Sequence, residues 1–583
     1  MTHLAGQGIG FRDPFTSTEA WVPLQVGDEN QLLFADMRVI VNNASKLGAN
    51  MGVGFRRFVP AQERVWGVNG YYDYRDSGEV RHNQVGFGLE SLGRYCDWRL
   101  NVYMPINPKL TVISDTYDCA NPRYDGFYLF LTRTIVKETA LRGFDTEIGG
   151  TIWDRYRVRG YLGTYLFDGQ ETAQALGFRA RIETQATDQL NLQLVYQTDK
   201  VFGGTVYGGG TLSWPGVGRR EVAEDQSDVL DRLADPVNRL YNIVLNRPVE
   251  QFQESAQDPV SGQPIRFVFV DDDAAAGGTG AENSPFNTLA QAEANSLPGD
   301  IIFVRAGTYT DSIALQSGQR LLGDGIGLPT TVNGCFLGGY VISTLQCPEG
   351  VFLPNVSRNI GDRPTILGVP GDAITLADRN EVASFNIVNP GDSGIAGAGI
   401  NNFDIHDVNI TGAGGFGIDI RDAFNVGSIR GVNVTGSAGG IRIVNGGQTN
   451  LNVDIACNTL SQNFGDGIRI ITQDQGGITA TVRENIATFN AGFGMTARAE
   501  QGSINMNAFD NQFVSNNLGG AFVGAVDGTF TGVFTTNLFD SNNSGGAQPA
   551  GAPGLAVVVG EGLASAGNVD LTLVGNSFQL NEG

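Results

Sequence analysis

The first 215 residues alternate between apolar and polar side chains, in segments of about ten residues. In the segment 64–74, Trp66, Val68 and Tyr72 fall on one side, whereas Asn69 and Asp73 fall on the other. A period of two residues is typical of β-strands with two chemically different faces. The same alternation recurs in segments 84–90, 96–104, 155–166, 176–183 and 190–197. The pattern predicts an antiparallel sheet.

Two architectures fit this alternation. A soluble sandwich would bury the apolar faces and leave the charged faces in water. A membrane β-barrel would turn the apolar faces to lipid, where Lys or Arg costs about 2–4 kcal/mol at mid-depth. The apolar faces carry no charge, and aromatic residues such as Tyr72, Tyr74 and Trp98 lie near strand ends. These observations favour the membrane barrel.

After residue 265 the pattern changes to a repeat of roughly two dozen residues, which is typical of a solenoid. A Gly followed by an apolar residue recurs at Gly394, Gly417, Gly440, Gly467, Gly494, Gly520 and Gly554. An Asn-x4-Asn motif recurs at Asn458/Asn463, Asn485/Asn490, Asn511/Asn516, Asn537/Asn542 and Asn576/Asn581. Stacked Asn side chains can form a hydrogen-bonded ladder. A leucine-rich repeat is the rival, but regular Leu is missing.

The start of this region resembles the first coil of right-handed β-helix, pectate-lyase-like proteins. The residues that carry the resemblance are RFVFVDDD at 266–273 and the following stretch to GDG at 323–325. A short helix is expected near 286–294, because it would cap the open end of the solenoid, and a strand at 301–304. The sequence therefore predicts an all-β chain with an N-terminal antiparallel transmembrane β-barrel and a C-terminal right-handed parallel β-helix.

The N-terminal region resembles the barrel of the inverse autotransporters, the intimin and invasin family. The resemblance rests on GVGFRRF, NGYYDY and GFGLE within 34–106, on DGFYLFLTRT at 125–134 and on LADPVNRLYNIVLNRP at 233–248. It implies a barrel of about twelve strands, a linker threaded through the pore and a passenger exported C-terminally. It also implies outer-membrane lipid and the barrel assembly machinery as partners.

The expected domains are a barrel at 1–215, a partly helical linker at 216–264 that threads or plugs the barrel, and a β-helix at 265–583. The chain stops inside a repeat, so we expect the β-helix to be truncated at its C-terminus. A net charge of −23 disfavours a nucleic-acid partner. Of the five Cys residues, Cys335 and Cys347 flank a short loop and could form a disulfide in an exported protein.

The polar strand faces are rich in Arg, and the segment that follows them is acidic. We hypothesise that the two sets attract each other inside the pore and hold the linker there as a plug. The alternative is that both sets are simply solvated. The residues concerned are Arg99, Arg157, Arg159, Arg179 and Arg181 on the strands, and Glu224 and Asp228 in the linker.

In the β-helix, the positions two residues after each repeat Gly stack Asp419, Arg442 and Arg469 on successive coils. They could contact an acidic glycan, with calcium on Asp419, although a salt bridge on a wet face is the simpler interpretation. Glycosidase chemistry needs a pair of carboxylates, and no stacked column supplies one. His406, beside Asp404 and Asp407, fits a surface turn.

No catalytic residue, metal ligand or cofactor is therefore predicted, and calcium is the one cofactor considered, either at Asp419 or at Asp271, Asp272 and Asp273. The favoured function is an outer-membrane-anchored protein that displays its β-helix at the cell surface for adhesion or for glycan or matrix binding. The alternatives are a polysaccharide lyase or glycoside hydrolase on the same anchor, or a soluble secreted protein. An enzyme is the less favoured interpretation, and neither a ligand nor an oligomeric state is indicated.

Overall fold

A computed structural model describes residues 1–26, 29–153, 157–214, 227–325, 330–332, 335–337, 340–354, 362–448, 450–542, 553–560 and 566–581. The chain divides into two compact units. The first consists of residues 1–116 and 133–252, and the second of residues 117–132 and 253–583. No helix among the described residues is long and apolar enough to cross a membrane.

The first unit is built from long antiparallel strands that follow the alternating segments of the sequence. A 3-10 helix, Pro60–Gln62, lies between the fourth and fifth strands. The strands are β1 (Thr2–Gly6), β2 (Phe15–Val26), β3 (Gln31–Asn42), β4 (Leu47–Val59), β5 (Arg64–Asp76), β6 (Arg81–Gly93), β7 (Cys96–Pro105), β8 (Thr111–Asp125), β9 (Tyr128–Ala140), β10 (Arg142–Trp153), β11 (Val158–Asp168), β12 (Ala175–Gln185), β13 (Leu190–Asp199) and β14 (Gly203–Leu212).

Twelve of these strands close into a barrel, as predicted. Strands β1 to β7 pair in sequence, β7 pairs with β10, β10 to β14 pair in sequence, and β14 pairs back to β1. Within the described residues, β8 and β9 stand outside the closed sheet and form a hairpin with each other.

The barrel turns its apolar side outward. In β5, Trp66, Val68 and Tyr72 are about half exposed, whereas Tyr71 and Asp73 are buried in the lumen. Strand β12 follows the same rule, since Leu176 is 65% exposed and the neighbouring positions Arg179 and Arg181 are buried. The predicted orientation, with apolar faces out and arginines in, is confirmed for these strands.

The chain leaves β14 and returns to the lumen as a short helical segment. This segment consists of α1 (Ser227–Asp231) and a 3-10 helix, Arg232–Ala234, followed by irregular chain. It ends in two strands, β15 (Leu245–Asn246) and β16 (Val249–Ser255), which both pair with β9. A sheet thus forms in which β9 is flanked by β8 on one edge and by β15 and β16 on the other.

The β-helix of the second unit begins with strand β17 (Phe267–Val270) and helix α2 (Leu289–Asn295). Thr288 caps the helix by accepting a hydrogen bond from the Gln291 backbone N–H. The helix predicted near 286–294 and the strand predicted at 301–304 are both confirmed. The next strands are β18 (Ile301–Val304), β19 (Thr308–Tyr309), β20 (Ile313–Ala314), β21 (Arg320–Gly323), β22 (Thr330–Val332), β23 (Cys335–Leu337), β24 (Val341–Ile342) and β25 (Val351–Phe352).

Regular coils follow, each with strands on three faces. They are β26 (Thr365–Leu367), β27 (Ile374–Leu376), β28 (Asn380–Ala383), β29 (Asn386–Val388), β30 (Ile395–Ala398), β31 (Asn401–His406), β32 (Asn409–Thr411), β33 (Phe416–Arg421), β34 (Phe424–Arg430), β35 (Asn433–Thr435), β36 (Gly439–Asn445), β37 (Asn450–Ala456), β38 (Thr459–Ser461), β39 (Ile468–Thr472), β40 (Gly477–Arg483), β41 (Ile486–Thr488), β42 (Phe493–Ala499), β43 (Ser503–Phe509), β44 (Gln512–Val514), β45 (Gly519–Ala525), β46 (Thr529–Thr535), β47 (Leu538–Asp540), β48 (Leu555–Val559), β49 (Asn568–Val574) and β50 (Ser577–Gln579).

Three long parallel sheets make this unit a β-helix, as predicted. The first runs from β17 through β18, β21 and β28 to β49, the second from β19 through β26 to β50, and the third from β20 through β27 to β48. Their inward side chains form one continuous core, in which Ile418, Ile441 and Ile468 occupy equivalent positions on successive coils.

Two polar columns run through the corners of the β-helix, and both confirm the predicted Asn ladders. In the first, Asn485 donates to the side-chain oxygen of Asn511 (2.9 Å) and to the carbonyl of Ile455 (2.8 Å). The repeat glycines lie beside these corners, where a Cβ on Gly467 would come within 2.6 Å of the Gly494 carbonyl oxygen. Because there is no room for a side chain, the Gly recurs with the Asn.

The disulfide of Cys347 differs from the expectation. Cys347 pairs with Cys119 in the β8–β9 hairpin, not with Cys335. The sequence spacing favoured the short loop, whereas the fold brings together residues separated by 228 positions. Both Cys119 and Cys347 belong to the second unit.

Candidate functional site: the barrel lumen

The candidate site is the inside of the barrel, where the segment 229–244 lies; we call it the lumen segment. It begins with apolar contacts, since Val229 and Leu233 pack against a cluster of lumen side chains. That cluster consists of Leu32, Phe58, Val65 and Leu92. Further along, Val237 packs with Phe34 and Tyr71. A filled and partly apolar lumen holds the segment in one place.

Arg232 of the lumen segment is paired with Asp97 at the start of β7. Its guanidinium donates to both carboxylate oxygens of Asp97, one of them at 2.8 Å, and also to the Gly93 carbonyl at 2.5 Å. Arg232 also contacts Asp235 of its own segment at 3.0 Å. Both Arg232 and Asp97 are buried. A buried two-point pair fixes the guanidinium in distance and in orientation.

Arg239 makes a second two-point pair, with Asp73 of β5, at 2.7 and 2.6 Å. The same guanidinium lies 4.2 Å from the centre of the Tyr71 ring, and Asp73 also accepts from Asn50 at 2.7 Å. Both partners are almost fully buried. Because removal of one partner would leave the other charged and desolvated, this pair opposes displacement of the segment.

Barrel side chains also bind the carbonyl groups that the irregular segment leaves unpaired. Arg56, which is fully buried, donates to the carbonyls of Leu233 (2.9 Å) and Asp235. Asn50 donates to the Tyr241 carbonyl at 2.9 Å, and Asn101 donates to the Asn238 carbonyl at 3.2 Å. The Tyr103 hydroxyl accepts from the Leu240 backbone N–H at 2.8 Å. These bonds replace the water that an empty pore would supply.

Four of the predicted lumen arginines lie close to carboxylates of the barrel itself. Arg99 and Arg181 share Glu147, at 3.0 and 2.7 Å. Arg159 lies 3.5 Å from Asp97, and Arg179 lies 3.8 Å from Asp145.

The described contacts of the lumen segment therefore have the opposite polarity to the one expected, because the segment supplies the arginines and the barrel supplies the carboxylates. Arg157, a predicted lumen arginine, lies 3.5 Å from Gln185. Glu224 and the Asp228 side chain lie outside the described residues, so their pairing with lumen arginines stays a prediction. The sequence did not predict the roles of Arg232 and Arg239, although Arg239 lies in the motif 233–248 and Arg232 directly precedes it. For Asp73 and Asp97 it predicted only a place on the polar face of their strands.

A cavity of about 280 Å³ remains beside the lumen segment. Arg232, Asn238 and Tyr241 of the segment line one side, and Arg159, Arg181 and Gln193 of the barrel line the other. The cavity is large enough for several water molecules, and several charged side chains line it. The segment thus fills the lumen on the β3–β7 side and leaves space on the β11–β13 side.

The barrel region matches a known protein family. Residues 10–200 match the family model described as Inverse autotransporter, beta-domain. The first unit contains an inverse autotransporter β-domain. Residues 271–517 match a second family model, described as Protein of unknown function (DUF1565). The inverse autotransporter β-domain is therefore followed by a passenger of that second family, in agreement with the expected order of the two regions. No curated protein matched the chain.

Solved structures show only distant similarity to the β-domain and its passenger. A chain described as "Unveiling the Mechanism Behind the in-meso Crystallization of Membrane Proteins" is 16% identical and covers 42% of this chain and 98% of its own, with a TM-score of 0.31. A rhamnogalacturonan lyase is 12% identical, with 54% and 86% covered and a TM-score of 0.27. An exopolygalacturonase from Thermotoga maritima is 12% identical, with 50% and 86% covered and a TM-score of 0.28. These TM-scores are too low to support a conclusion about this chain.

In the passenger, the residues of the candidate ladder lie on three neighbouring strands of the third sheet. Asp419, Arg442 and Arg469 are paired in register on β33, β36 and β39. Arg442 binds Asp419 with two hydrogen bonds, one at 2.7 Å, and Arg421 adds another at 3.0 Å. Arg469 pairs instead with Asp466 at 2.8 Å. The ladder is thus a set of salt bridges on the outer face of the third sheet.

His406 does not lie in a surface turn as expected, because it is buried between two carboxylates. Its ring nitrogens lie 2.8 Å from Asp407 and 3.1 Å from Glu381. Burial acts to lower the pKa of His406, but the hydrogen bonds to both carboxylates outweigh it and raise the pKa to about 9. Arg320 pairs with Glu381, and Arg430 pairs with Asp404.

Among the passenger residues that the structure describes, two groups of side chains have ligand atoms close enough together for a metal ion. They are Glu381, Asp404 and His406, and the predicted run Asp271, Asp272 and Asp273. The first group is already neutralised by arginines. In the second, Asp271 pairs with Arg305 at 2.9 Å, and Asp272 accepts from the Thr308 backbone N–H at 2.7 Å.

Proposed function

We propose that this protein is anchored in an outer membrane by its barrel and displays the β-helix at the cell surface. The observation that carries the proposal is the lumen segment, because it leads from inside a barrel with an apolar exterior to the first strand of the passenger. In this proposal residues 1–215 supply the anchor, 216–264 the linker and 265–583 the passenger. Outer-membrane lipid and the barrel assembly machinery are the implied partners.

We propose further that the passenger binds an extracellular glycan or matrix protein and does not process it. A general acid in glycoside hydrolysis needs a raised pKa. Burial acts to raise the pKa of Asp419, but Arg442 and Arg421 outweigh it and lower the pKa. In the same way Arg320 and His406 lower the pKa of Glu381 to about 2. These carboxylates are therefore suited to hold cations and not to donate protons.

The ladder of Asp419, Arg442 and Arg469 is the candidate contact for an acidic glycan. Arg442 lies 4.4 Å from the centre of the Phe416 ring, and the Arg469 side chain is 37% exposed. An arginine side chain that lies beside an aromatic ring and still has N–H groups available for hydrogen bonds can bind a sugar that carries a carboxylate. Its position on a flat stack of strands offers a long shallow surface.

Surface display is tested with an epitope tag inserted between Asp474 and Gln475, in an exposed turn of the β-helix. Intact cells that express the full chain should bind the antibody, while a periplasmic marker protein stays undetected until the cells are permeabilised. A tag that becomes detectable only after permeabilisation would contradict display.

Binding is tested with the same cells on a panel of polygalacturonate, alginate and matrix proteins. The proposal expects retention of cells on at least one surface, reduced by Arg469→Gln but not by Arg142→Gln, a matched exposed arginine of the barrel. Release of unsaturated or reducing sugar ends into the medium would favour the displayed lyase or hydrolase instead.

A further inference from the structure

We propose that the β8–β9 hairpin is a docking template on which the passenger starts to fold. The proposal rests on the proposed export of the passenger through the barrel. It assigns to residues 111–140, which leave the closed sheet, two actions: pairing with the emerging linker as an added strand, and covering the outer face of the first coils.

The added strand is visible in the hydrogen bonds along β9. Near the base, the Lys137 backbone N–H donates to the Pro248 carbonyl at 3.1 Å, and the Lys137 side chain pairs with Glu250 at 2.6 Å. Toward the tip, the Ala256 N–H donates to the Leu129 carbonyl at 2.7 Å. The hairpin edge therefore supplies ready partners for linker backbone groups that would otherwise need water.

The hairpin tip, residues 117–132, then forms one wall of an apolar core outside the β-helix. In most coils the first sheet is buried on one side only, but all four residues of β17 are buried. Phe267 and Phe269 point away from the main core and contact Tyr124, whose ring centre lies 5.1 and 5.0 Å from theirs. Leu129 and Leu131 of the tip are fully buried in the same cluster.

The other wall of this outer core is the segment 340–353, and the disulfide Cys119–Cys347 joins it to the tip. Tyr340 lies in the cluster and donates its hydroxyl to the Gly323 carbonyl at 2.6 Å. Without the tip, Phe267, Phe269 and Phe303 would form an exposed apolar patch on the first coils. Exposed patches of this kind favour association between molecules.

The order of folding follows from this arrangement. Each coil of a β-helix is completed by the edge of the coil before it, because parallel strands bond only to their neighbours. The first coil has no preceding coil, and the hairpin tip covers its outer face and bonds to its backbone, since the Phe267 N–H donates to the Phe127 carbonyl at 2.7 Å. Coils then stack from this end toward the C-terminus.

The first test compares Tyr124→Ser with Tyr128→Ser in the full chain, expressed in cells. Tyr124 lies in the outer core, whereas Tyr128 on the same tip is 37% exposed. We expect Tyr124→Ser to shorten the half-life of the passenger against added protease by about tenfold or more, as loss of an aromatic side chain that packs against a buried apolar cluster implies. Tyr124→Phe and Tyr128→Ser should behave as wild type. Barrel folding is measured separately, by the shift in electrophoretic mobility on heating.

A wild-type half-life in Tyr124→Ser would overturn the proposal. So would loss of the barrel mobility shift in that variant, because the tip would then serve barrel assembly. Failure of the wild-type chain to show the surface tag would count against the proposed display and not against the template.

The second test concerns the order of events. Gly467→Val blocks stacking of a later coil, so we expect it to leave the Cys119–Cys347 disulfide formed while the coils downstream become protease-sensitive. Disulfide formation is measured by alkylation with a maleimide polymer after denaturation, with the exposed thiol of Cys96 as the internal standard. Loss of the disulfide in Gly467→Val would show that docking follows coil stacking, and the template would be rejected.

Discussion

The barrel and the β-helix use the same alternation of side chains with opposite orientation. In β5 of the barrel, Val68 is 50% exposed and Asp73 is buried, whereas in β36 of the β-helix, Ile441 is buried and Arg442 reaches the outer face. The charges inside the barrel are paired, and the apolar side chains inside the β-helix are packed. Alternation therefore gives each strand two chemically different faces, and whether lipid or water surrounds the strand determines which face is buried.

The largest effect is expected for Arg239→Met. This change breaks the buried pair between Arg239 and Asp73 in the polar interior of the barrel. Asp73 would remain charged and desolvated, so the barrel should lose about 3–5 kcal/mol of unfolding free energy. All five Trp residues precede residue 215, so urea titration followed by Trp fluorescence reports the barrel. Planar-bilayer recordings should also show more frequent open events.

The control for this change is Arg142→Met. Arg142 pairs with Asp168 at 3.4 Å with most of its side chain exposed, so its loss should cost less than about 1 kcal/mol. If both variants unfold at the same urea concentration and conduct equally, the lumen pairs do not hold the segment.

The medium around each domain is tested by making the same substitution at one exposed position of the barrel and at one equally exposed position of the β-helix. Leu162 of the barrel and Val426 of the β-helix are both 57% exposed. In the proposed membrane, Leu162→Arg should cost about 2–4 kcal/mol, because the charge would face lipid. Val426→Arg should change stability by less than about 0.5 kcal/mol. Barrel stability is measured in lipid vesicles, and passenger stability by pulse proteolysis; equal, small costs would mean that water surrounds both positions.

A polar interior is also possible in the β-helix, but only as a ladder. Asn485→Ala removes a buried amide that accepts from the Asn458 N–H and donates to the Ile455 carbonyl, so we expect a loss of about 2–3 kcal/mol. Asn433 belongs to an exposed ladder with Asn409, and Asn433→Ala should cost less than about 1 kcal/mol. Pulse proteolysis of the passenger measures the loss of stability in both variants. A similar loss at the two sites would show that the buried ladder does not stabilise the passenger more than the exposed one.

The smallest effect is expected from His406, and it depends on pH. Because its pKa is raised to about 9 in the folded chain, His406 contributes stability below its ordinary pKa near 6.5, and that contribution is lost as the pH rises through 9. His406→Gln should therefore destabilise the passenger by about 1–2 kcal/mol at pH 6 and much less at pH 10. The groups that face His406 are Glu381, Asp404, Asp407, Arg320 and Tyr340. A pH-independent difference in proteolysis would indicate a packing effect only.

Sequence alternation predicted the barrel and its inward arginines because every strand repeats the same two-faced pattern. It gave β8 and β9 no place, since residues 111–140 contain apolar runs such as Leu129-Phe130-Leu131 instead of a clean alternation, and only the strand pairing shows that they lie outside the closed sheet. Repeat spacing predicted the Asn columns, because each Asn meets the same residue one coil away.

Contacts across long stretches of chain were beyond such reasoning. Arg232 and Asp97 are separated by 135 positions and Cys119 and Cys347 by 228, and no local pattern links the members of either pair. The lumen charges were predicted as a class, but their partners depend on which carboxylates the closed barrel places opposite the segment. A local pattern of charged residues therefore does not show which of them pair, because the pairing depends on the three-dimensional path of the chain.

The Asn and Gly columns have a consequence for how such genes can change in length. Asn485 and Asn511 occupy equivalent positions 26 residues apart, so excision of residues 485–510 would rejoin strands of the same face in the same register. Unequal crossing-over within one repeat period would add or remove a full turn and leave every remaining corner intact. The reach of the passenger can therefore evolve in whole-turn steps without redesign of its ends.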